Sequence, residues 1–365
     1  MTSNDRVRQM LAFKSVDIPV LECDINPVGL YEHGEGARDL LKTCTGDFNP
    51  ISESAFLDKP GGEVFCPDGR AWLPRAEDFG AGGGFDRRFT DAWGVGWRYR
   101  IFGVQGHPYS HPVTDWSDAS PPFPQLTDPP FDAMRSDVAA KHAQGLYAKV
   151  GWVNYFERSY ALRNYEDVLM DIAMMDSGFL RFTERMHAYN VGLVGRWLET
   201  GADAIQFADD FGTQSSLLIS RDAFRTIYLP LFKELVSMVH RAGRHAFFHC
   251  CGYIEPLLED FAEIGFDTLW PQFSAHDLPR LAQKCRDLRL AVCIHPDRGA
   301  LMTNGTPGQV EREIARYVEL FRPHEGGAWL YFEFDNGFPY ANVAAAIETY
   351  RALRSPANAR NAIVF

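Results

Sequence analysis

The chain has no long hydrophobic run, no excess of positive charge and no paired cysteine framework. Each absence excludes a class of protein. No apolar stretch approaches the about 20 residues that a membrane span needs, and the opening MTSNDRVRQMLAF carries no apolar segment of a secretory signal. The formal net charge is -12 and the pI near 5.4, which argues against nucleic acid or an anionic membrane surface as main partner. The seven cysteines, at 23, 44, 66, 250, 251, 285 and 293, are odd in number and scattered. That is no disulfide scaffold; it fits a cytoplasmic chain whose reduced thiols are available to metal. No fixed-period repeat and no low-complexity tract is present.

What the chain does have is a regular second part. From about residue 145, short apolar runs at Ala148–Val153, Ala204–Ala208, His245–Cys250, Asp267–Trp270, Leu290–Ile294 and Ala328–Phe332 alternate with stretches of helical period. The helical stretches are roughly 166–200, 221–242, 254–264, 277–287, 307–321 and 341–354. Such alternation predicts parallel strands with crossover helices, in an open doubly wound sheet or a closed barrel. Ile18–Asp24 reads as a first strand, which gives seven, with an eighth hidden in the less regular 45–130. The expected fold is therefore α/β, a (β/α)8 TIM barrel in one domain over 1–365, with an irregular loop or β insertion at about 45–130. Within that insertion Thr90–Tyr99 alternates like a hairpin strand, and Ala81-Gly-Gly-Gly84 reads as a turn more readily than as a phosphate loop.

In such barrels the working residues stand at the C-terminal ends of strands. His245–Cys250 ends in His249-Cys250-Cys251-Gly252. Residues at i and i+2 of an extended chain point the same way, so His249 and Cys251 can converge on one zinc ion while Cys250 turns into the core. Gly252 permits a tight turn beside whatever is bound. The next-strongest end is Asp209-Asp210-Phe-Gly-Thr-Gln214, where Asp210 faces the cavity as a catalytic carboxylate and Gln214 offers a polar group, unless the acids serve only as turn caps. Gln272 follows another strand with an amide able to orient substrate. His295, Asp297 and Arg298 follow the next, and Glu333 and Asp335 follow the last. His295 reads as structural as readily as it reads as a ligand. Trp93, Trp97, Trp152, Tyr155 and Phe156 supply an apolar wall for a flat substrate, or ordinary core.

These motifs in this order resemble the uroporphyrinogen decarboxylase superfamily, including its zinc-dependent methyltransferase branch. The signposts are Asp5-Arg6-Val7 followed by Ile18-Pro-Val, Asp91-Ala-Trp-Gly-Val95, Gly201-Ala-Asp203 leading to Asp209–Gln214, and Ile219–Arg225 with Pro230. Then come His249-Cys-Cys-Gly252, Gly265-Phe-Asp267, Asp297, Gly305-Thr-Pro307 and Asn342-Val343. The resemblance implies a (β/α)8 barrel and leaves the reaction open. True decarboxylases carry an arginine-rich segment near the N-terminus that grips porphyrinogen carboxylates; here the residues after Ile18-Pro-Val contain no arginine. The methyltransferase branch has His-x-Cys-Gly and moves methyl groups between a corrinoid carrier protein and a small acceptor. His249 and Cys251 match two of its zinc ligands. Its third ligand, a cysteine after the last strand, is replaced here by Glu333-Phe-Asp335, so Glu333 is the candidate third ligand or else a general acid or base.

Three functions compete. The first is a zinc-dependent methyltransferase acting with a corrinoid protein on a small methylated compound, with zinc on His249, Cys251 and Glu333, Asp210 and Asp297 on the catalytic rim, and Gln214, Gln272, Arg298, Trp97 and Tyr155 around the substrate. The second is a metal-free carboxy-lyase using Asp210 and Arg298. The third is a corrinoid- or tetrapyrrole-binding protein without turnover. The superfamily's habit of dimerising also implies a homodimer.

Overall fold

The computed structural model describes residues 1–25, 85–101, 106–116 and 123–355, with scattered positions between 32 and 48. Ala81–Gly84, Cys44, Cys66 and much of the 45–130 insertion lie outside the described residues. Seven strands form one parallel sheet: β1 Leu21–Ile25, β5 Lys149–Val153, β6 Ala204–Ala208, β7 His245–Cys250, β8 Thr268–Pro271, β9 Ala291–Ile294 and β10 Ala328–Phe334. Their order across the sheet is β1, β10, β9, β8, β7, β6, β5. A separate antiparallel sheet joins β2 Arg87–Thr90, β3 Gly96–Tyr99 and β4 His107–Ser110. The hairpin expected at Thr90–Tyr99 is β2 and β3, pinned by the Asp91 carboxylate, which accepts the N–H groups of Trp93, Val95 and the Trp97 indole at 2.8–2.9 Å.

The central parallel strands are mainly apolar, with β6 and β9 buried at every position, because both faces of the sheet are covered. On β7, Ala246, Phe248 and Cys250 are buried against helices, and Phe248 stacks on Phe266 with ring centroids 4.3 Å apart. The alternate residue, Phe247, joins a different cluster with Ala204, Cys293, Trp329 and Tyr331. That second cluster fills the concave side. Phe247 on β7 meets Trp329 on β10 at 5.6 Å, although three strand spacings of ~4.8 Å would separate them in a flat sheet. At the two edges, Lys149 Nζ of β5 lies 2.7 Å from Glu22 Oε1 of β1. The sheet is strongly curled. Between those edges sits Asp47, whose N–H donates to Leu21 O at 2.7 Å and whose carbonyl accepts from Tyr147 N–H at 3.0 Å.

Two expected helices are interrupted. The 166–200 stretch divides into Tyr165–Ala173 and Ser177–Leu198, because Met175 turns at φ 52° and Asp176 caps the second helix through Phe179 N–H. The 221–242 stretch breaks at Tyr228 ahead of Pro230, giving Arg221–Ile227 and Leu229–Arg241. Helices Asp128–Ala143 and Phe156–Leu162 had no counterpart in the apolar periodicity. No helix among the described residues is long and apolar enough to cross a membrane.

Candidate metal centre

The ends of β6 and β7 are knitted together. Asp209 N–H donates to His249 O at 3.1 Å, Phe211 N–H to Cys250 Sγ at 3.3 Å, Cys251 N–H to Asp210 Oδ1 at 2.7 Å, and Tyr253 N–H to Thr213 O at 2.6 Å. This zipper needs two glycines in contact. A Cβ on Gly252, which has φ 77°, would stand 2.2 Å from Gly212 C and O; one on Gly212 would stand 2.6 Å from Tyr253 N. The two loops cross with backbone on backbone, and the crossing carries Asp210 onto Cys251.

The result is a three-residue donor group. Asp210, His249 and Cys251 each place one ligand atom within 4.8 Å of the others. Cys251 Sγ lies 3.3 Å from His249 Nε2, and Asp210 Oδ1 lies 3.8 Å from the same nitrogen. A carboxylate, a neutral imidazole and a thiolate suit zinc. The electrostatics fit too. Burial lowers the His249 pKa and keeps the ring neutral, while burial and the Asp210 charge push the Cys251 thiol up. A cation among these three would reverse the second shift and draw out the thiolate. The His249 ring is held edge-on by Trp270 at 4.6 Å. Tyr331 packs on the far side of Trp270 at 4.6 Å.

Around the trio stand two carboxyls with different tasks. Asp209 is fully buried and accepts the N–H groups of Tyr155, Phe156 and Glu157 at 2.7–2.8 Å, so it fixes the start of helix Phe156–Leu162. Among the described residues Glu157, next to it, receives long contacts from Asn154 Nδ2 and Tyr160 Oη, both 3.4 Å. Burial, with the Asp209 and Asp210 charges, pushes Glu157 up to about 8. Asp209 owns the donors, so the proton of this pair resides on Glu157. Sequence reading missed Glu157, although it lies four positions beyond the end of β5 and so belongs to the same rim as the other strand ends.

The structure places the other expected residues as follows. Glu333 is not in the donor group: His295 Nε2 lies 3.1 Å and Arg298 Nε 2.9 Å from its Oε1, and against burial the hydrogen bond to His295 and the Arg298 charge hold its pKa down. Arg298 is also paired with Asp335, and half exposed. Trp270 lies beside both groups, its ring 4.6 Å from that of His249 and 5.6 Å from that of His295. Asp297 accepts the N–H groups of Ala300 and Leu301 and caps the turn after β9. Gln272 accepts Gly252 N–H at 3.0 Å and pairs with Gln214 at 3.1 Å, so both amides brace the loop beside the trio. Trp97 is committed to Asp91 in the hairpin. Tyr155 is 1% exposed and its hydroxyl contacts His187 Nδ1 at 2.7 Å, which places it in the core beneath the rim.

The fold and site together define a curled-sheet α/β protein with an Asp, His and Cys trio at the C-terminal ends of its strands. Residues 158–352 match the uroporphyrinogen decarboxylase (URO-D) family, more than half of the chain, and the protein belongs to that family. Among solved structures it is similar to a methyltransferase from Methanosarcina mazei, at 15% identity and TM-score 0.64, covering 96% of this chain and 98% of that one. It is also similar to a putative lyase/mutase from Burkholderia cenocepacia J2315, at 13% identity and TM-score 0.35, covering 100% of this chain and 90% of that one. No curated protein matches its sequence.

Proposed function

We propose that this chain is a cytoplasmic zinc-dependent methyltransferase that takes a methyl group from a small methylated compound and passes it to a corrinoid held by a partner protein. The convergence of Asp210, His249 and Cys251 at one strand-end cluster carries the reading. Likeness in fold to a methyltransferase over nearly all of both chains supports it. On this reading the domain is a single (β/α)8 barrel over 1–365, with the segment at Asp47 in the place of the strand between β1 and β5. A homodimer is consistent with the family.

Bound zinc would supply Lewis-acid polarisation of the heteroatom that carries the methyl group. The chain's own residues do the rest. His249 enters as a neutral ligand, since burial disfavours its cation. Cys251 N–H fixes the Asp210 carboxylate toward the trio. When the methyl group leaves, the heteroatom keeps the bonding electron pair and takes up a proton; Glu157, the carboxyl that burial keeps protonated, is the group able to donate it. A reduced corrinoid on the partner protein would serve as the acceptor of the methyl group.

The test is methylation of reduced free cobalamin by the zinc-loaded protein across a panel of methyl ethers, methylamines and methyl thioethers. Methylcobalamin formed only with zinc present is the expected result. Absence of transfer across the panel, together with carbon dioxide release from a carboxylate substrate, would replace it with the carboxy-lyase reading.

A further inference from the structure

One aromatic residue beside the trio is half exposed. Trp152, at the C-terminal end of β5, is 49% exposed while its neighbour Val153 is 1% exposed. Its orientation is built into the strand. The pairing of β5 with β6 runs Lys149 to Ala204 and Val150 to Ile205, then resumes at Val153 to Phe207, so β5 has one extra residue there. Gly151, with φ 96°, supplies that bulge, packing where a Cβ would stand 2.9 Å from the Trp197 ring. A bulge beside a site re-aims a side chain. Here it turns the Trp152 indole onto the His249 imidazole, at 5.8 Å between centroids and 35° between planes. His249 therefore has an indole on each side: Trp270, partly buried and edge-on, and Trp152, open to solvent.

We infer that Trp152 is the stacking platform for a planar aromatic group of the substrate, which lies over the indole with its methylated heteroatom toward Asp210, His249 and Cys251. The inference deepens the methyltransferase reading by naming a substrate class, an aromatic methyl compound. An indole left half in water beside a donor trio has an apolar face to bury, and a flat π-system covers it with the geometry aromatic pairs prefer. An aliphatic methyl compound of equal size gains contact area without that geometry.

The experiment measures binding, not turnover, so it stands apart from the methyl-transfer test. Phenol and cyclohexanol, alike in size and hydroxyl, are titrated into the zinc-loaded protein by saturation-transfer NMR. Phenol is expected to bind about two- to tenfold more tightly than cyclohexanol, the ratio that aromatic pairing beyond area supplies. Trp152→Leu should bring the ratio near unity, Trp152→Phe should keep most of it, and zinc content should not change in either variant. Equal binding of the two probes by the unaltered protein overturns the inference, as does a preference that survives Trp152→Leu. Binding of cobalamin that is lost in Trp152→Leu while phenol is indifferent would assign the platform to the corrin ring and overturn it as well.

Discussion

Replacing Gly252 by alanine probes the crossing that assembles the site. The added Cβ would stand 2.2 Å from Gly212 C and O, both backbone atoms, and the residue would be held at φ 77°. The left-handed conformation alone costs roughly 1–2 kcal/mol. Relief of the overlap by moving two backbone segments adds about 1–3 kcal/mol, by the measure of overpacked cores. Gly201 separates the two terms: it has φ 84° and nothing within 4 Å of its Cβ position. Gly201→Ala should therefore lose only the conformational term. Urea unfolding of both variants, with zinc affinity measured by chelator competition, gives the comparison. Gly252→Ala should be the less stable by about 1–3 kcal/mol and should bind zinc at least about tenfold more weakly, because the Cys251 N–H to Asp210 bond is displaced. Equal stabilities with unchanged zinc affinity would refute the idea that the glycine contact positions the trio.

Two further expectations separate the carboxyls around the site. Asp209→Ala strands three buried N–H groups and should lower unfolding stability by roughly 3–5 kcal/mol, read by urea titration; a loss under about 1 kcal/mol would contradict its role as anchor of the Phe156–Leu162 helix. Glu157 has its folded pKa raised to about 8 from an ordinary 4.5, so the native state holds a proton that the unfolded chain releases. Stability should fall as pH rises through that window and then level off, by up to about 5 kcal/mol, and Glu157→Gln should remove its share of the fall, leaving that of Asp209, whose pKa burial also raises. The metal-free proteins, compared at pH 4.5 and 9, should be alike at the first and the variant more stable at the second; parallel curves would contradict the assignment.

Much of this architecture is legible in the sequence because burial on both faces leaves a plain signal. The apolar runs ending at Ala208, Cys250 and Ile294 coincide with the ends of β6, β7 and β9. The pairing of His249 with Cys251, and the turning of Cys250 into the helix layer, follow from strand alternation alone. The third donor does not. Asp210 reaches Cys251 only because Gly212 and Gly252 touch, and that contact joins residues forty positions apart, which no local pattern records. Glu333 drew attention by its place in the chain, but its oxygens are engaged by His295 and Arg298 from the loop after the adjacent strand. Trp152 was visible as an aromatic residue; the extra residue in β5 that aims it was not.

Zinc content across four substitutions tests the central claim most directly. The protein, purified with zinc supplied, should hold about one equivalent, and X-ray absorption should show one sulfur at about 2.3 Å with nitrogen and oxygen near 2.0–2.1 Å. His249→Ala, Cys251→Ser and Asp210→Asn should each reduce occupancy sharply, while Glu333→Gln retains it. Less than about a tenth of an equivalent in the unaltered protein, or full occupancy in His249→Ala, would contradict the account.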